Sequence, residues 1–390
     1  MRVLRSAGLI LAAGLALLAG SGMWLAATPD SLEERAERLL DRDGRAARTE
    51  STALLREALA RDPASAYRWC RLGEALDEAG QRRTARYSFL RAAELAPNVP
   101  PVLMRAANFH FTNGATEDGL ACTRRILALV RDYDAAIFGT WSRLGVPEEE
   151  VLAHGFPPVH AARTAYFHHV LESDSAPAAA RTWIWLERAG EADSGEAARY
   201  CGFLLARREY EPAAAVWDHV QRGGSPGFLR PNRVFNSGFE TTPGPCPLDW
   251  NIAPAEGVTV ARDARVAHSG ASSLRLEFDG RSNLAYHHTG QQVVAPPGVY
   301  RFRAFFRTER FSTDQGLRFR IFDASAPGEV EAVTEQASGT APWRELTARV
   351  TVPAPTRLLT IELVRAPSLR FDNKLAGIVW IDDVELAPDR

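Results

Sequence analysis

The hydrophobic period of this chain changes at Gly223-Gly224-Ser225-Pro226-Gly227, and no single fold type accommodates both sides of that break. Before it, residues 31–222 are rich in Ala, Leu, Arg and Glu with short Gly, Pro and Asp interruptions, which predicts a run of helices. After it, Leu274–Phe278, Tyr300–Ala304, Leu317–Ile321 and Leu346–Val350 alternate apolar and polar residues. Several short alternating strands separated by turn residues predict an antiparallel β-sandwich over 232–390. A chain of 390 residues is long for one core, so two folded units joined by a linker at 223–231 suit its length.

The start of the chain has a third character. Arg2 and Arg5 precede an uncharged stretch from Ser6 to Thr28, close to the ~20 apolar residues that a bilayer requires. Positive charge before the stretch, with Asp30, Glu33 and Glu34 after it, orients the N-terminus inside and the remainder outside. Residues 1–29 therefore read as a signal anchor, with the bulk of the chain exported and held at an inner membrane on the periplasmic side. The alternative is a signal peptide cleaved near Ala26–Ala27, which would leave a secreted protein. A formal net charge of −2 offers no electrostatic footprint for nucleic acid. The four cysteines have no close spacing and form no C-x-x-C, which argues against a zinc site or a disulfide framework, although export leaves one Cys–Cys bridge open.

Within the helical half, Trp69, Leu72, Gly73, Leu76, Ala85, Phe89, Ala92 and Pro97 stand at spacings that build a helical hairpin. Small Gly73 and Ala85 let two helices approach, and Trp69 and Phe89 fill what remains. This pattern resembles the tetratricopeptide repeat, of period 34, with Leu76 in the usual Tyr position. The match is clearest over 66–99; Leu55, Ala58 and Pro63 before it, and Leu103, Ala106, Ala107 and Ile126 after it, keep only part of the register. The resemblance implies a short helical solenoid, since one repeat cannot bury its own faces. It also implies a concave groove that takes a protein segment, lined by Tyr67, Cys70, Glu74 and Asp77 in one repeat and Met104, Asn108 and Phe111 in the next.

The β half opens with Phe235-Asn-Ser-Gly-Phe-Glu240 and Pro247-Leu-Asp-Trp250. It continues through Gly270-Ala-Ser-Ser-Leu274 and closes with Trp380-Ile-Asp-Asp-Val-Glu-Leu386. In that order these motifs resemble the jelly-roll carbohydrate-binding modules found on polysaccharide-degrading enzymes, over about 234–388. Strand alternation in the closing segment puts Trp380, Asp382, Val384 and Leu386 inside, with Asp383 and Glu385 outside. An inward Asp382 needs a partner. The resemblance implies a structural calcium where first and last strands meet, with Glu240 and Asp382 as carboxylate ligands and carbonyls near Ser269 and Ser273 completing the shell. The alternative is satisfaction by hydroxyls, backbone N–H groups or an arginine.

Sugar recognition needs flat rings for stacking and planar hydrogen-bonding side chains. Loop candidates are Trp250, Tyr286, His287, His288 and Gln291. On the strands, alternation turns Arg301, Arg303, Phe305 and Arg307 outward, and likewise Arg318, Arg320 and Phe322, an Arg-rich surface suited to an acidic polysaccharide. No H-E-x-x-H, G-x-S-x-G, P-loop or G-x-G-x-x-G occurs, and His154, His160, His168 and His169 make no i, i+4 pair, so catalysis is not expected. The sequence reads first as a non-catalytic envelope adaptor that binds a protein through its repeats, in association with surface-polysaccharide assembly or export. The alternative is a sugar-binding protein whose repeats are a spacer.

Overall fold

The computed structural model describes residues 31–40, 44–222, 231–312, 314–371 and 373–389. The apolar segment at 6–28 lies outside the described residues; among those described, no helix is long and apolar enough to cross a membrane. The chain divides into two compact units, one ending at His169 and one beginning at Val170.

The first unit is helical: α1 (Leu32–Leu40), α2 (Arg45–Arg61), α3 (Ala66–Glu78), α4 (Arg82–Leu95), α5 (Pro100–Thr112), α6 (Thr116–Leu129), α7 (Asp134–Arg143), α8 (Glu148–His154) and most of α9 (His160–Glu172). Local chemistry sets the boundaries. The Ser65 hydroxyl caps α3 by accepting the Arg68 N–H, and proline occupies the first turn of α5. Helices α3, α5 and α7 end in one turn type, at Gly80, Gly114 and Gly145, with φ between 64° and 75°. Each places the next residue's N–H on a carbonyl one turn back: Gln81 to Leu76, Ala115 to His110, Val146 to Trp141. Gly80 and Gly114 stand one 34-residue period apart.

Packing between α3 and α4 follows the small-against-large logic: an ideal Cβ on Gly73 would lie 2.8 Å from the Phe89 ring, and Ala85 is fully buried. Trp69 departs from expectation. It is half-buried at the hairpin's edge, packed against the core cluster that holds Phe89, with its indole N–H on the Pro63 carbonyl and its ring edge-on to Tyr87. Phe89 also stacks on Phe109 of α5 at 4.7 Å, joining one hairpin to the next.

The second unit holds α10 (Ala176–Arg188), α11 (Ser194–Ala206), α12 (Tyr210–Arg222) and a sandwich of two five-stranded antiparallel sheets. Its strands are β1 (Asn251–Ile252), β2 (Val258–Asp263), β3 (Ser273–Asp279), β4 (Tyr286–Val294), β5 (Gly298–Ser312), β6 (Arg318–Phe322), β7 (Glu331–Val333), β8 (Gly339–Val352), β9 (Leu358–Arg365) and β10 (Ala376–Pro388). One sheet runs β1-β4-β9-β6-β7 and the other β2-β3-β10-β5-β8. Tyr300, Phe302, Ala304 and Phe306 of β5 meet Phe319 and Ile321 of β6 and Ile361 of β9 in the core between them.

Two expectations about this half are corrected. β5 and β6 belong to different sheets, so the outward arginines of the two strands form two separate surfaces on opposite faces of the sandwich. In β10 the alternation breaks: the register shifts between Asp382 and Glu385, and Asp383 adopts a left-handed φ of 46°. Before the bulge Val379, Trp380, Ile381 and Asp382 are all buried, and after it Val384 and Leu386 are. Trp380 lies in register with Arg275 and Arg307, whose side chains point away from the core, and its indole N–H binds the Asp263 carboxylate.

Candidate functional site

The outer face of the β1-β4-β9-β6-β7 sheet carries an open groove of about 660 Å³. Register fixes which side chains share it. Asn251 of β1, Gly290 of β4, Glu362 of β9 and Arg320 of β6 form one row; Gln292, Thr360 and Phe322 form the next. Gly290 leaves a dip in the floor, since an ideal Cβ there would lie 2.8 Å from the Ile361 carbonyl oxygen. A register shift between Tyr286 and Thr289 brings two consecutive imidazoles, His287 and His288, to the groove, stacked at 4.6 Å. Glu362 sits between these histidines and Arg320. Burial raises its carboxyl above the usual range, and His287, Arg320 and His288 partly offset that. Arg320 in turn bonds Glu331 and lies over the Phe322 ring at 4.3 Å.

The groove's wall at 244–247 is braced from behind. The buried Asp249 carboxylate accepts the Gly244 and Trp250 N–H groups, and burial raises its pKa. Trp217 of α12, fully buried, lies against Gly244 so closely that an ideal Cβ would come within 2.8 Å of the indole. The chemistry on offer is planar donors and acceptors from three neighbouring strands over a fixed floor, with phenyl and imidazole faces beside them.

The opposite sheet presents a smaller surface. The His268 ring stacks on Phe305 at 3.7 Å, meets Trp343 edge-on and shares a 2.6 Å hydrogen bond with Asp383. A shallow pocket of about 430 Å³ there is lined by Arg303, Phe305, Asp383 and Glu385 among others.

Three of the predicted sugar contacts are interior. Trp250 and Gln291 lie under the groove, each 2% exposed: Trp250 gives its indole N–H to the Asn236 carbonyl, and Gln291 makes paired bonds to the Phe235 backbone. Tyr286 is buried with its hydroxyl on Thr289. All three satisfy their own polar atoms inside the fold, while Trp250 and Gln291 still contribute to the groove's lining. His288 stands in the groove. Arg303, Phe305 and Arg307 lie on the other sheet, where Arg303 pairs with Glu385 and Arg307 lies over Trp380. Gln292, Thr360 and Glu362 were not singled out in the sequence. The alternation of Thr360-Ile-Glu-Leu363 carries the signal for two of them.

In the repeats, Tyr67 and Asn108 are exposed. Glu74 accepts from Nε and Nη2 of Arg105, both at 2.7 Å, and Asp77 stands 3.5 Å from Asn113. Phe111 packs on Gly119 of α6, and Cys70 is fully buried, so both belong to helix packing and leave the predicted groove.

Asp382 is fully buried and accepts three backbone N–H groups, from His268, Ser269 and Asp383. Burial nonetheless outweighs those donors and raises its pKa. Glu240 accepts from Ala271 and Ser272 of the same loop. Both carboxylates reach Gly238: an ideal Cβ there would lie 3.4 Å from Asp382 Oδ1 and 3.6 Å from Glu240 Oε1. Two carboxylates beside one glycine make an oxygen-only donor set that fits a hard cation. Among the described residues no cluster of three or more His, Cys, Asp or Glu side chains suits a metal, so any further ligands would be carbonyls.

No family model matches this chain, and no curated protein does. Solved structures do match. A family 61 carbohydrate-binding module, TmCBM61, in complex with β-1,4-galactotriose is 21% identical over 40% of this chain and 99% of its own, with a TM-score of 0.31. A family 4 module is 15% identical over 40% of this chain and 99% of its own, with a TM-score of 0.30. A family 22 xylan-binding domain is 14% identical over 40% and 95%, with a TM-score of 0.28. What the sandwich binds has to be read from its own side chains.

Proposed function

We propose that this chain is a non-catalytic carbohydrate-binding protein whose sandwich takes a glycan in the groove over β4, β9 and β6. The observation that carries this reading is the convergence of Gln292, Glu362, Thr360, Asn251, His287 and His288 on one trough of about 660 Å³, with its floor lowered at Gly290. That volume lies in the range of small-molecule sites. Neutral amides, a carboxylate and imidazoles suit the hydroxyl pairs of a sugar ring, and the adjacent Phe322 and Arg320 extend the surface along the sheet.

The repeats then serve as a carrier for the sandwich. The adaptor reading has less support, because Glu74 and Phe111 are engaged within the helices and Tyr67 and Asn108 make two isolated exposed positions. Placement at the cell envelope rests on residues 6–28 and is tested by membrane fractionation. A calcium ion at Glu240 and Asp382 belongs to the same proposal: it would tie the opening segment of the sandwich to its last strand, outside the groove.

Glycan-array screening of the full chain, with neutral β-linked and acidic polysaccharides, tests the reading. Binding is expected, and Gln292→Ala or Glu362→Ala should weaken it roughly 10- to 100-fold, the worth of one or two hydrogen bonds. An array without hits would sink the idea.

A further inference from the structure

Cys201 and Cys246 come from distant parts of the sequence and meet inside the second unit. Cys201 lies on α11, fully buried, with its thiol on the Ala213 carbonyl of α12 at 3.2 Å. Cys246 lies in the loop that walls the groove, 3% exposed, with its sulfur accepting the Leu248 N–H. One helical turn beyond Ala213, Trp217 covers Gly244, two residues before Cys246. Both thiols are free in the structure, and Cys246 is the neighbour that acts most strongly on the Cys201 thiol. Two free, buried sulfurs are thus brought to one seam, between α12 and the groove wall, on elements already fixed by other contacts.

We propose that Cys201 and Cys246 form a disulfide when the chain folds under oxidising conditions, stapling the last helical pair to the wall of the groove. The oxidant is of the disulfide class. One cysteine thiolate attacks it, forming a mixed disulfide and releasing one thiol. The second cysteine then attacks the mixed disulfide, closing the S–S bond and releasing a second thiol. Two protons and two electrons leave the protein, and one oxidant disulfide becomes two thiols. Burial and the neighbouring sulfur raise the Cys201 thiol far above its ordinary range, so the native protein holds almost no thiolate there. The bond therefore forms during folding, before α11 closes over the loop, and once formed it is shielded from reductant. The staple acts on the unit's own stability and needs no ligand, so it stands apart from the glycan reading.

The test refolds the full chain from reduced denaturant in a glutathione/glutathione-disulfide buffer. After helix and strand content is confirmed by circular dichroism, thiols are counted and a non-reduced digest is mapped. The expected result is two free thiols, Cys70 and Cys122, and one cross-linked peptide joining Cys201 to Cys246. Chain refolded with its thiols kept reduced throughout should melt roughly 10 °C lower. Cys201→Ser and Cys246→Ser should each leave three free thiols and the Tm of the reduced protein. Four free thiols in the refolded chain, or a bridge involving Cys70 or Cys122, would overturn the proposal.

Discussion

At the scale of single residues, one buried and one half-buried carboxylate do different work. Asp382 is closed off by three backbone N–H groups and still carries an uncompensated burial cost, with Glu240 facing the same glycine. A cation held between them, as proposed, would relieve both at once. Millimolar calcium should therefore raise the Tm of the sandwich by several degrees over a chelated sample, and identical melting curves would leave the clasp to hydrogen bonds alone. Glu362 sits where a ligand can reach it, and burial raises its carboxyl. The folded state then holds its proton to higher pH than the unfolded state does. Stability associated with this group is full below the unfolded value, near 4.3, and is lost as pH rises through the folded value. Glu362→Gln keeps the shape and removes the charge, so it should raise Tm at pH 7 and leave it unchanged near pH 4; the reverse pattern would contradict the assignment. Asp382 was legible in the sequence as an inward carboxylate needing partners. Backbone N–H groups were among the partners weighed for it; which ones was not legible, because a left-handed residue at Asp383 shifts the register and no composition signals it.

Elements were more legible than residues wherever periodicity alone decides. The inward side of β5 and the outward arginines of β6 follow from alternation. Which strands are neighbours does not, since a period of two fixes a strand's face and says nothing about its sheet. That is why Phe305 and Phe322 read as one surface and stand on two. The helical hairpins behave likewise. Gly73 and Phe89 were identifiable as a small-against-large pair, while Trp69 found a backbone carbonyl at the hairpin's edge. Gly73→Ala drives a methyl to 2.8 Å from the Phe89 ring and should cost about 1–3 kcal/mol by denaturant titration. Adding Phe89→Leu should recover part of that loss. An undiminished loss in the double variant would place the strain elsewhere.

At the scale of the molecule, the glycine-rich break separates helical from alternating sequence, yet the compact unit that holds the sandwich begins at Val170. Nothing in the helical pattern marks that position, because a core helix and one that covers a neighbouring sheet carry the same period. What draws α12 to the sandwich is a fully buried Trp217 on the loop at Gly244, a contact between residues far apart in the sequence. The same packing braces the groove wall, so the helices serve the site without lining it. The groove's own residues were half legible: Trp250, His287, His288 and Gln291 were named from sequence, while Gln292, Thr360 and Glu362 converge only once β4 and β9 are paired. Titration of one glycan, chosen from array hits, against Gln292→Ala, Glu362→Ala and Phe305→Ala tests that convergence most directly. The groove variants should lose at least 10-fold in affinity, with Phe305→Ala on the opposite sheet unchanged. Loss confined to Phe305→Ala, with both groove variants binding normally, would contradict the account.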